Sequence, residues 1–201
     1  AKEEITNATT NDAVIEAQNN GVTAIDGIKV PTESAVKEAA KKAVAEAATA
    51  KNNAIDASNL TDEEKATLKQ KVTEAQTAAD QAIDNATSNA AVTEAQNSGV
   101  NAIDGIKVPT ESAVKEAAKK AVAEAATAKN NAIDASNLTD EEKATLKQKV
   151  TEAQTAADQA IDNATSNAAV TEAQNSGVNA IDGIKVPTES AVKEAAKKAV
   201  A

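Results

Sequence analysis

The chain repeats itself every 78 residues: Gly21, Gly99 and Gly177 align, as do Pro31, Pro109 and Pro187, and residues 24–123 recur unchanged as residues 102–201. Whatever local structure one copy adopts must therefore appear again in the next, and each copy must meet its neighbour in the same way. Identity on this scale concerns the array rather than any one position in it. An enzyme gains little from copied active sites strung in a row, whereas a spacer gains length with every copy.

Composition removes most chemistry. The chain has no His, Cys, Met, Phe, Tyr, Trp or Arg, so no imidazole, thiol or aromatic ring can serve catalysis, metal ligation or base stacking. Alanine fills 50 of the 201 positions, and the larger apolar residues are Val, Ile and a few Leu. Alanine has the highest helix propensity but little side chain to bury, so the expected product is helices in close contact around a thin core. A net charge of -10 and a pI near 4.6 speak against nucleic acid and anionic membrane, since no basic stripe exists to displace counterions or meet headgroups. No apolar run approaches the length of a membrane span, so no direct insertion is expected. The first residues, AKEEITNATT, do not form a signal peptide, and an export signal or anchor is expected outside this stretch. The absence of cysteine fits a cytosolic protein, or an exported one that relies on helices instead of disulfides.

One unit reads as three helices. Helix A is predicted over residues 32–57, with Pro31 placed to start it because proline lacks only a donor that the first turn leaves unpaired. Its apolar stripe is Val36, Ala40, Ala43, Ala47, Ala50 and Ala54, broadened by Val44 and Ile55. After Ser58-Asn59-Leu60, Thr61 and Glu64 form a capping box, and Asp62 and Glu63 add negative charge at the positive helix end. Helix B then runs to about residue 86, with Leu68, Val72, Ala75, Ala79, Ala82 and Ala86 inward and Ile83 beside them. Helix C follows Thr87-Ser88-Asn89 and carries Val92, Ala95, Gly99, Ala102 and Ile106, flanked by Ile103, before ending near Gly105. If Thr87-Ser88-Asn89 stayed helical instead, B and C would fuse into one long helix.

The expected architecture is all-α: tandem three-helix bundles stacked end to end as an elongated rod. An odd number of antiparallel helices makes each unit enter at one end and leave at the other, and helices of about 24 residues give roughly 36 Å each and a rod of order 90 Å. The parts are residues 1–28, the end of a B helix with its C helix; 29–106, a full repeat; 107–184, an identical one; and 185–201, the start of another. The residues singled out for structure are Leu68 and Leu146, as scarce large core side chains; Thr61 and Glu64, as the cap; Pro31 and Pro109, between units; and Gly99. Glycine in a helix interior costs about 1 kcal/mol against alanine, so Gly99 marks a local kink or fray, a close approach between helices, or a ligand.

Other tempting signals have plain readings. LTDEE at 60–64 resembles helix starts in calcium-binding helix-loop-helix proteins, but no loop of alternating oxygen ligands with a central glycine adjoins it. The carboxylates there read as capping and surface charge. Five Asn-x-Thr sequons, at Asn7, Asn59, Asn85, Asn137 and Asn163, fall where helices begin or end, as turn composition alone would place them. No phosphate loop, nucleophile elbow or pair of acids in an apolar cleft is present, and neither catalysis nor a cofactor is expected.

The stretch NLTDEEKATLKQKVTEAQTAADQAIDNATSNAAVTEAQNSGVNAIDGI, residues 59–106, resembles the helical repeat of domain of unknown function 1542, which occurs in long arrays in wall-anchored surface proteins of Gram-positive bacteria. The likeness extends to the copy at 137–184 and a partial one at 1–28. In the partial copy Lys2, Glu3, Glu4, Asp12 and Ile15 stand where 80–93 carry Asp80, Gln81, Ala82, Ala90 and Thr93, so it is expected to pack less tightly. The resemblance implies export, wall attachment and a fibrous helical stalk, with no functional residue to carry over. Three function classes follow: a monomeric stalk whose partners are neighbouring repeats, a repeated weak module for a host matrix protein, and a cytosolic desiccation or ice-related helical protein. The second gains avidity from copy number but wants exposed aromatics or Arg, which are absent. The third works through short periods such as eleven residues, unlike a 78-residue unit with turns and caps.

Overall fold

The computed structural model describes residues 1–29 and 34–201, so the expected helix start at Pro31 lies outside the described residues. Within them the chain is helical: α1 (Lys2–Asn7), α2 (Asn11–Asp26), α3 (Ala35–Asp56), α4 (Asp62–Asn85), α5 (Asn89–Asp104), α6 (Ala113–Asp134), α7 (Asp140–Asn163), α8 (Asn167–Asp182) and α9 (Ala191–Ala199). Helices α3, α4 and α5 each pack on the other two, as do α6, α7 and α8, while α1 packs on α2. Two three-helix bundles in series result. The turn between α4 and α5 is not helical: Ala86 is extended, and Ser88 caps α5 by accepting from the Ala91 amide. The two helices therefore stay separate.

Every full helix of a unit closes on Ala-Ile-Asp, with one further Asn in α4 and α7, and that motif organises the core. Ile55, Ile83 and Ile103 are completely buried, and with Val44, Val72 and Val92 they form the apolar centre of the first bundle; Ile133, Ile161, Ile181, Val122, Val150 and Val170 repeat it in the second. Because α4 runs antiparallel to α3 and α5, its isoleucine closes one end of the bundle while the other two close the opposite end. The stripes differ from the sequence reading. In α3 the buried line is Ala40, Val44, Ala48 and Ile55, whereas Ala50, Ala54 and Ala82 of α4 are exposed and Val36 is 40% exposed. Leu68 and Leu146 pack against the core from its rim and are only partly buried.

Each Ala-Ile-Asp end also puts an acid at the negative pole of a helix, with no basic residue in the last turn of α3, α4 or α5. Neighbouring helices supply the missing cations. Lys37 donates to the Asp84 carbonyl at 2.7 Å, Lys65 to that of Asp56 at 3.1 Å, and Lys51 to those of Asp104 and Ile106 at 2.9 and 3.0 Å. Lys41 and Lys69 pair with the carboxylates of Asp84 and Asp56, each at 2.6 Å. Carbonyls left unpaired at a helix end thus meet ammonium groups from a neighbouring helix, antiparallel for α3 with α4 and parallel for α3 with α5, which ties α3 to both other helices.

Gly99 sits in the middle of α5 without breaking it. A methyl placed there would overlap the Cβ of Ala79 on α4 and lie 3.5 Å from Val44, and Gly177 stands in the same relation to Ala157 and Val122. Close approach is therefore the reason for the glycine, not a kink. Pro109 does not start a helix. It lies in the non-helical linker after α5, and α6 begins at Ala113 with Ser112 as its cap. The physical reason is twofold: proline disfavours helical geometry at Val108, which keeps α5 from running on, and Ser112 offers the oxygen that a cap requires.

The accessible surface is 13011 Å² for 20.3 kDa. A compact monomer of that mass would expose about 8800 Å². The excess is what end-to-end stacking produces.

Candidate functional site at the repeat junction

A helix start leaves its first amides without partners, and the junction between the two bundles brings three such starts together: those of α4, α6 and α8. Their donors are accounted for almost one by one. In α4 the Thr61 hydroxyl oxygen accepts from the Glu64 amide, and the Glu64 carboxylate accepts from the Thr61 amide at 2.9 Å, closing the capping box. The Asp62 amide crosses the junction to the Thr165 carbonyl at 2.7 Å. In α8 the Asn167 amide donates to the Glu63 carboxylate at 3.0 Å, and Ser166 accepts from Ala169. In α6 the Ser112 oxygen accepts from the Lys115 amide, and Ser112 and Val114 turn their donors toward the Glu64 carboxylate closely enough to lower its pKa.

The acidic first turn of α4 therefore serves three helices. Glu64 caps its own helix and α6, and Glu63 caps α8, so carboxylates sit where three positive helix ends converge. Burial draws the Glu64 pKa upward, but the hydrogen bonds from Thr61, Ser112 and Val114 outweigh it and hold the carboxyl below its ordinary 4.5. At the next junction the Thr139 amide, Ser190 and Val192 likewise depress Glu142, and Lys193 donates to the Asn137 carbonyl at 2.9 Å. Thr61 is buried and Thr139 half-buried, while Leu60 and Leu138 are buried at both junctions.

The residues expected to matter fall in two places. Thr61 and Glu64 lie in the junction, with Pro109 in the linker that feeds it; Gly99 and Leu68 lie within the first bundle, and Leu146 within the second. Sequence reading of LTDEE stopped at the capping box and missed Glu63, Ser112, Val114 and Asn167. One signal was there: three acids in a first turn where a box needs one.

Nothing here resembles a reaction centre. Among the described residues no group of His, Cys, Asp or Glu could hold a metal ion, and no helix is long and apolar enough to cross a membrane. Two open apolar grooves run between α4 and α5, and between α7 and α8, floored by alanines around Gly99 and Gly177.

Comparison with known proteins agrees with the repeat. No curated protein and no solved structure matches the chain. Residues 36–111 and 114–189 each match the family described as Domain of Unknown Function (DUF1542), a non-catalytic structural family of wall-anchored surface proteins in Gram-positive bacteria. With both bundles covered, the chain belongs to the DUF1542 family.

Proposed function

We propose that the chain is a section of a stalk that holds an adhesive domain of a bacterial surface protein away from the cell wall, outside the cell, its repeats being each other's main partners. The observation that carries this reading is the bonded junction. Successive bundles are joined end to end by backbone and carboxylate hydrogen bonds, so each copy adds length without folding back. The repeats of three helices are taken as 29–106 and 107–184, and the family model matches 36–111 and 114–189.

A repeated module for a host matrix protein is the second reading, favoured by copy number alone. Its surface has neither Arg nor aromatic side chains to anchor a partner. Display on a Gram-positive cell separates the two. With an epitope placed beyond one, two or four copies, the stalk predicts that accessibility to a bulky antibody rises with copy number while binding to fibronectin or collagen stays flat. Saturable matrix binding at nanomolar concentration, abolished by substitutions on one helix face, would overturn it.

A further inference from the structure

The sequence Thr-Glu-Ser-Ala-Val-Lys occurs three times, ahead of α3, α6 and α9, and the structure treats the copies differently. Ser112 and Ser190 are 2% and 1% exposed, and each accepts from an amide of its helix. Ser34 is exposed and makes no side-chain cap bond. What the two buried copies share is a carboxylate of the preceding repeat: Glu64 faces Ser112 and Glu142 faces Ser190.

We propose that Glu63 and Glu64 form a two-pronged lock that fixes the direction of the next repeat, Glu64 on α6 and Glu63 on α8, so that rod stiffness is set joint by joint by these side chains. One carboxylate alone would leave a swivel, since the linker and a single point of attachment permit rotation. Two prongs on different helices, with the Asp62–Thr165 backbone bond between them, remove it. Glu64 and its serine are 48 positions apart in both joints, 64 to 112 and 142 to 190, so the lock can be read from sequence. A repeat with another residue at either carboxylate position, or without the serine, is a hinge. The inference concerns the joint and holds whether the array projects a domain or carries binding sites.

The chain has no cysteine, so spin labels can be placed without background. Thr49→Cys and Thr127→Cys put one label at the same exposed position of each bundle, and pulsed electron-electron resonance then reads the distance across the joint. The lock predicts one narrow distance in the full 201-residue chain. It predicts loss of that peak, replaced by a broad distribution reaching to shorter distances, with Glu63→Gln/Glu64→Gln. Glutamine has one oxygen where glutamate has two: at position 64 that oxygen serves the box that Thr61 makes with Oε2, so α4 itself stays capped, while the NH2 presents a donor to the α6 side in place of an acceptor, and unchanged helicity by circular dichroism checks the cap. Ser112→Ala should broaden the peak by acting from the other side. Glu141→Gln/Glu142→Gln, at the joint beyond the labels, should leave it narrow. A peak that stays narrow in Glu63→Gln/Glu64→Gln, or that broadens equally with Glu141→Gln/Glu142→Gln, would overturn the proposal.

Discussion

Replacing Gly99 and Gly177 together by alanine should destabilise both bundles, against the usual gain from alanine in a helix. At an exposed helical site the substitution would stabilise by about 1 kcal/mol. Here the new methyl overlaps the Cβ of Ala79 or Ala157, which is fixed to the backbone and has no rotamer by which to move aside. Overpacking of this kind costs about 1–3 kcal/mol, and the rigid neighbour argues for the upper part of that range, leaving a net loss of about 1–2 kcal/mol per bundle. Ala79→Gly with Ala157→Gly is the matching experiment. It loses about 1 kcal/mol of propensity and a further 0.8 or so for the buried methyl, about 2 kcal/mol per bundle. In the exchanged chain, with alanine at 99 and 177 and glycine at 79 and 157, the propensity terms cancel and the methyl only changes sides. The stability should then return to within about 1 kcal/mol of the parent, a coupling of about 2–4 kcal/mol between the positions. Urea unfolding followed by circular dichroism reads all four corners of the cycle. Stabilisation by the glycine-to-alanine change alone, or additivity of the two pairs, would refute close approach as the reason for the glycine.

Ile55→Ala should cost about 2–5 kcal/mol, because the side chain is wholly buried, and Leu68→Ala clearly less, because Leu68 stands on the rim; a urea midpoint lower for Leu68→Ala than for Ile55→Ala would show that the core centre is misassigned. Lys51→Met, which keeps the stem but removes the ammonium from the end of α5, should cost about 0.5–1.5 kcal/mol, and a change that 0.5 M salt fully mimics would show a merely screened surface charge. Thr61→Ala should cost about 1 kcal/mol through the lost cap, and loss of the cross-joint distance without loss of stability would mean that its oxygen serves the joint alone. The pH dependence has a definite sign. Glu64 is held below its ordinary 4.5 in the fold, so its contribution is full above that value and disappears as pH falls through the depressed one. Glu116, raised by its hydrogen bond to Glu111 and the repulsion between them, contributes in the opposite sense, below its ordinary value and fading as pH rises. The Tm gap between the parent and Glu64→Gln/Glu142→Gln should therefore be widest near neutrality and shrink as pH falls below the ordinary carboxylate range and through the depressed one; a gap that does not change with pH would rule out the carboxylate as its source.

The all-α class, the three helices per unit and the non-helical turns were legible because caps and breakers are local: Thr61 with Glu64, Ser88, Gly105 and Pro109 mark boundaries within a few residues. The faces were less legible. Alanine recurs at almost every phase of helix A, so a stripe through Ala43, Ala47, Ala50 and Ala54 satisfies the helical period as well as the true one through Ala40, Val44, Ala48 and Ile55. Only the branched residues discriminate, and the recurrent Ala-Ile-Asp ends were the stronger guide. The lysines that cap those ends act across 9 to 55 positions, and Glu64 reaches Ser112 from 48 positions away. Such pairings have no periodic trace in one helix, since they depend on how neighbouring helices align and on how one bundle abuts the next. In the first repeat fragment Ile15, Ile25 and Ile28 are more than half exposed, and among the described residues α1 packs on α2.

Small-angle scattering of the full chain in dilute solution tests the rod directly. Two bundles in series, each about 36 Å along its longest helix, with the end segments added, give a maximum dimension of about 90 Å or more and a radius of gyration near 26 Å. A compact protein of this length would give a radius of gyration of about 17 Å. The account predicts the first pair of values, unchanged on dilution; a radius near 17 Å with a maximum dimension of about 50–60 Å would mean that the bundles pack side by side, and would contradict it.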